Sequence, residues 1–130
     1  MKKLALLALA PLLLANQFTA AQFEFSARFI ALIQQQQLAA AKRMLAPNAV
    51  IRSWADYSGP PKTFESFVTY ISKCPVHDFE GVDSKEAHNI NVNLDCPGYG
   101  GASLIFKGAR ISEIDYGGPP AIRINSTPQQ

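Results

Sequence analysis

The chain has few of the residues that carry redox or metal chemistry: two cysteines and two histidines in 130 residues. Cys74 and Cys96 stand 22 positions apart, so the sequence has no Cys-x-x-Cys pair of the kind that cycles between thiol and disulfide. Those two cysteines with the distant His77 and His88 do not make up a zinc-ligand set. The acids Glu80, Asp83, Glu86, Glu113 and Asp115 are scattered, without metal-ligand spacing. No metal and no cofactor are therefore expected. There is no Gly-x-Ser-x-Gly elbow, and Ser53 has no base beside it in sequence, which speaks against a serine hydrolase. The glycine-rich "CPGYGGAS" (96–103) lacks the Gly-Lys-Ser/Thr ending of a phosphate loop, so Gly98, Gly100 and Gly101 are assigned to a hairpin connection.

Long apolar runs are missing too, except at the N terminus. "MKKLALLALAPLLLANQFTAAQ" has two lysines, an apolar stretch from Leu4 to Leu14, and then small and polar residues, the layout of a secretory signal peptide. The apolar stretch is short of the ~20 residues that span a bilayer. Thr19 and Ala21 place cleavage after Ala21, so 1–21 is assigned to the leader. Lys2 and Lys3 leave with it, and the 12 Lys+Arg of the full chain fall to 10, matching the 10 Asp+Glu. A neutral mature chain has no basic footprint for nucleic acid, and no membrane anchor is expected after cleavage. A periplasmic or secreted location follows, and an oxidising compartment favours a Cys74–Cys96 disulfide. Closing that loop is worth about 3 kcal/mol on the chain-entropy account.

The mature chain divides into a domain over 22–118 and a tail over 119–130, poor in core residues, for which partial disorder and a short edge strand at Ile122 and Ile124 are the two expectations. Apolar residues at helical spacing run from Phe23 to Leu45: Phe25, Phe29, Leu32, Ile33, then Leu38, Ala41 and Leu45. Gln34 to Gln37 fall either inside one long helix or at a bend between two. Pro47 and Asn48 are expected to end the helical region, and a strand to run from Ala49 to Trp54. "SGPP" turns, and Thr63 caps a helix whose apolar face is Phe64, Phe67, Val68 and Ile71.

After Pro75 the pattern is that of strands. "VHDFEGV" is the first. "AHNINVNLDC" alternates, with Ile90, Val92, Leu94 and Cys96 on one side and Asn89, Asn91, Asn93 and Asp95 on the other. "ASLIFK" and "ARISEIDYG" complete the set around Gly108. The fold class is α+β.

The run "FIALIQQQQLAAAKRMLAPNAVIRSW", the helix "FESFVTYIS" and the closing hairpin "FKGARISEIDYG" together resemble the NTF2-like superfamily, which includes SnoaL-like polyketide cyclases and ketosteroid isomerases. The resemblance covers roughly Phe25 to Gly117 and rests on order and spacing rather than on a signature motif. It implies a curved antiparallel sheet wrapped around N-terminal helices, forming a cone with a central pocket. By position that pocket would be lined by Phe29, Ile33, Ser53, Phe67, Ile71, Ile114 and Tyr116, with the Trp54 ring closing its mouth. The isomerase catalytic set is missing: the matching positions hold Ser53 for the carboxylate base, Phe29 for the tyrosine and about Ala102 for the aspartate. Phe and Ala side chains donate no hydrogen bond.

Three functional readings stand at this point. One is a binder of a small apolar molecule in the cone. Another is an enzyme with altered acid/base chemistry, its catalytic candidates being Asp56, Tyr57 and His77, with the Asp56 carboxylate orienting the His77 imidazole. The last is a homodimer or partner-binding module that uses the sheet face carrying Asn89, Asn91 and Asn93.

Overall fold

The computed structural model describes residues 20–83 and 88–118. Most of the leader assignment, all of the tail with Ile122 and Ile124, and Glu86 lie outside them. Among the described residues a first helix, α1, covers 20–34, including the last two positions assigned to the leader. It is followed by α2 (Leu38–Lys42), β1 (Leu45–Ser53), a 3-10 turn (Trp54–Asp56), α3 (Phe64–Ile71), β2 (Val76–Asp83), β3 (His88–Leu94), β4 (Ala102–Lys107) and β5 (Arg110–Tyr116).

The glutamine run is a bend between two helices. Gln36 has φ 63°, a conformation that breaks the helical ladder between α1 and α2. The helical region ends earlier than expected, and β1 begins at Leu45 rather than Ala49. Pro47 and Asn48 lie inside that strand, where the register with β5 shifts between Leu45 and Val50. An edge strand with a bulge accepts a proline, because its missing N–H has no ladder partner to lose. Trp54 falls in the 3-10 turn, whose N-cap is Ser53; the Ser53 Oγ accepts from the Ala55 amide at 3.2 Å. The Thr63 cap forms as expected, its Oγ1 accepting from the Ser66 amide at 3.0 Å.

The five strands form one mixed sheet in the order β1-β5-β4-β3-β2. Four strands are antiparallel neighbours, as expected, but β1 pairs parallel with β5. The intervening helix and three strands supply the long connection that a parallel pair requires. The sheet is therefore not wholly antiparallel.

The α1 and α3 helices pack on one face of the sheet, and Ala41 of α2 joins the same core. Phe25 meets the Phe106 ring edge-on at 5.7 Å, and Phe67 lies 5.8 Å from Tyr116. The alternation read in β3 holds: Ile90, Val92 and Leu94 are buried against the helices. A disulfide joins Cys74, just after α3, to Cys96, just after β3, with a Cα–Cα distance of 5.8 Å. It ties the helix end to the sheet and fits an oxidising compartment. Among the described residues no helix is long and apolar enough to cross a membrane.

Candidate functional site

Register decides which side chains meet on the face away from the helices. Glu80 on β2 pairs with Asn91 on β3, Asn91 with Ser103 on β4, Ser103 with Asp115 on β5, and Asp115 with Arg52 on β1. Directly paired residues point to the same side, so these five form a polar row across the whole sheet. Ser103 Oγ donates to Asn91 Oδ1 at 2.8 Å, and one register step away Asn93 Nδ2 donates to Asp78 Oδ1 at 2.7 Å. Asn93 is 8 % exposed although no helix covers this face among the described residues.

Four members of the row, Glu80, Asn91, Ser103 and Asp115, bound a cavity of about 240 Å³ together with Trp54, Asn93 and the Gly100–Gly101 turn. Glycine is required in that turn. Gly101 has φ 83°, and a Cβ there would overlap the Val92 carbonyl oxygen. Trp54 forms the wall. It is 55 % exposed, its ring is 5.9 Å from Tyr57, and it lies so close over Gly118 that an added Cβ would come within 2.9 Å of the indole. The Arg52 guanidinium sits 5.5 Å above the Tyr57 ring, fixing the cluster from behind.

The most perturbed group in the row is Asp115. Burial, then a hydrogen bond with Glu113 and the charge of that neighbour, push its pKa up to about 7, with Arg52 opposing the shift. Its Oδ1 is sealed from solvent and has no hydrogen-bond partner among the described residues. Near neutrality this carboxyl thus exists partly as the acid, able both to donate and to accept.

The row's chemistry favours binding over catalysis. Asp115 and Glu80 stand three strand spacings apart, about 14 Å at 4.8 Å per strand, too far to act as a paired acid and base on one bond. Ser103 gives its proton to an amide oxygen, not to a base that would activate it. Among the described residues no group of three or more His, Cys, Asp or Glu is placed to hold a metal ion.

The residues expected to line a cone are side by side, packed on one another. Phe29, Ile33, Phe67, Ile71, Ile114 and Tyr116 belong to the buried core. Phe29 stacks on Phe67 at 6.1 Å, Phe67 leads to Tyr116, and Tyr116 to Tyr70 at 5.0 Å. The Tyr116 hydroxyl shares a hydrogen bond of 2.9 Å with Ser66 Oγ. Ser53 caps the 3-10 turn, and Trp54 stands at the cavity on the other face of the sheet.

The catalytic candidates are not brought together. Asp56 binds Lys62 Nζ at 2.8 Å, an ion pair that raises the lysine pKa. His77 lies 3.8 Å from Asp78 and 4.0 Å from Asp95. Tyr57 is exposed and packs with Trp54 and Arg52.

Asp115, Ser103 and Glu80 were not singled out from sequence as site residues, because only the pairing of distant strands aligns them. Gln22 and Ser26 were missed as well. Both are buried on α1, and Gln22 Nε2 and Ser26 Oγ lack hydrogen-bond partners among the described residues. Their spacing from each other and from Phe29 and Ile33 is helical, which is the signal that marks one stripe.

Compared with known proteins, the sequence matches no protein-family model and no curated protein.

Proposed function

We propose that this is an exported binding domain that takes one small hydroxylated molecule, such as a sugar ring, in the cavity beside Trp54. The observation that carries the reading is the cavity itself, an opening on the sheet whose walls are amides, a hydroxyl, carboxyls and the exposed Trp54 indole. Asn91 and Asn93 keep further donors and acceptors for vicinal hydroxyls, and the indole offers a flat apolar platform. The volume of about 240 Å³ is below the usual 300–1,000 Å³ of drug-sized pockets, which limits the ligand to one small ring.

The chain's single tryptophan makes the test direct, since all indole emission comes from Trp54. Titration with a panel of monosaccharides and polyols should shift or quench that emission in a saturable way, and an Asn91→Ala, Ser103→Ala double variant should lose the response. A flat titration across the panel would remove this reading.

A second reading keeps the NTF2-like cone and its small apolar ligand. It is favoured by Gln22 and Ser26, whose unpartnered polar atoms face inward on the stripe that continues to Phe29 and Ile33. Such a ligand would have to part rings that are fully buried and stacked, which is why the open polar cavity is preferred. Thermal stabilisation by apolar compounds without any change in Trp54 emission would favour the cone.

A further inference from the structure

A larger cavity, about 510 Å³, opens at the other end of the molecule, where α1, the α2–β1 turn and the β4–β5 hairpin converge. Its floor is apolar: Phe25 and Leu32 from α1 and Met44 from the turn, all half-buried and packed against the core. Its rim is cationic, with one arginine from each element: Arg28, Arg43 and Arg110. Phe25, Arg28 and Leu32 fall at helical spacing, so α1 presents floor and rim on one stripe.

None of the three arginines has a carboxylate within ion-pair distance among the described residues. Glu24, one turn before Arg28, lines a neighbouring hollow with it, yet the two make no ion pair. Arg110 is held in place by its Nη1, which donates to the Arg43 backbone carbonyl. That contact fixes the guanidinium at the rim and leaves its other N–H groups to bind. Arg28, Arg43 and Arg110 line the same cavity, and an oxyanion there would accept planar two-point hydrogen bonds from their guanidinium groups. An apolar floor of this size has no use for a bare inorganic anion, but it suits an alkyl chain.

We infer that this cavity binds a single-chain amphiphilic anion, a medium-chain carboxylate, with its head among Arg28, Arg43 and Arg110 and its chain over Phe25, Leu32 and Met44. The occupant is a free monomer and not a lipid surface: the cavity is lined by three separate elements, and a chain with a net charge of only +2 has little to hold it on an anionic bilayer. The inference is independent of the site beside Trp54, since the two cavities share no lining residue.

The test is isothermal titration of the purified, disulfide-bonded protein with sodium decanoate below its micelle concentration. Decanol, decyltrimethylammonium, acetate and inorganic phosphate serve as controls. Decanoate should bind one to one and about tenfold or more tighter than decanol, with no saturable binding of acetate or phosphate. Arg28→Gln, an exposed change outside the core, should weaken decanoate at least tenfold and leave the melting temperature of the free protein unchanged. Met44→Asp should abolish chain binding. Equal affinity for decanol, equal affinity for phosphate, or unchanged decanoate binding by Arg28→Gln would each overturn the inference. So would binding to phosphatidylglycerol vesicles in the absence of monomer binding.

Discussion

Replacing Asp115 with Asn removes one titrating group while keeping its shape. In the unfolded chain this carboxyl ionises near its ordinary 3.8, and in the fold it is pushed up to about 7. Between those values the native state holds a proton that the unfolded chain releases. Stability therefore falls as pH rises through that window and stays low above it. A displacement of about three units corresponds to about 4 kcal/mol at 1.36 kcal/mol per unit. The carboxyl is only partly buried, so solvent screening reduces this to about 1–2 kcal/mol. A domain of this size shifts its melting temperature by about 4–8 °C per kcal/mol. Calorimetric melts of both proteins from pH 4.5 to 8.5 should show the native protein losing about 5–10 °C relative to Asp115→Asn. The difference between the two curves cancels the other titrating groups. Carbon-13 NMR of the aspartate carboxyls gives the midpoint independently, and Arg52→Gln should raise that midpoint further. Parallel melting curves, or an Asp115 resonance titrating near 4, would refute the assignment of burial and Glu113 as the cause.

Three changes test the scaffold. Phe67→Ala empties a position that is fully buried between Phe29 and Tyr116, and urea unfolding should show a loss of about 3–5 kcal/mol. The Cys74→Ser, Cys96→Ser double variant frees a loop with a separation of 22 residues and should lose about 3 kcal/mol, with reduced native protein behaving the same way. Gly101→Ala places a Cβ on the Val92 carbonyl oxygen at a positive φ, so it should lower the melting temperature and disturb Trp54 emission, whereas Gly98→Ala, with open space around it, should cost less.

Elements governed by local rules could be read from the sequence. The Thr63 cap, the bounds of β4 and the two-sided pattern of β3 depend on residues within a few positions of one another, and the structure keeps them all. The start of β1 could not be read this way. Helical spacing carried through Met44 and Leu45, and Pro47 looked like a stop, but pairing with Ile111 draws Leu45 into the sheet and leaves the proline on an edge bulge. The polar row was invisible for the same reason. Arg52, Glu80, Asn91, Ser103 and Asp115 come from five strands, and only the parallel register of β1 on β5 completes their line. The asparagines were the one legible fragment of it. Asp56 instead pairs with Lys62, six residues on, and His77 lies near Asp78 and Asp95, contacts that spacing along the chain does not announce.

Net charge also hid something that the fold exposes. The chain carries 12 basic and 10 acidic residues, a net charge of only +2, which argues against a broad attraction to polyanions. The strands nevertheless gather several basic groups at one end of the sheet. Arg43, Lys107 and Arg110 sit where β1 starts and β4 turns into β5, while Asp78, Asp95 and the acids of the Trp54 cavity sit toward the opposite end. Charges farther apart than a Debye length of about 8 Å act almost independently at physiological salt. A molecule the size of a fatty acid or a sugar therefore meets one end and not the sum. A small net charge constrains large partners, and leaves each cavity free to select a small ligand by its own groups.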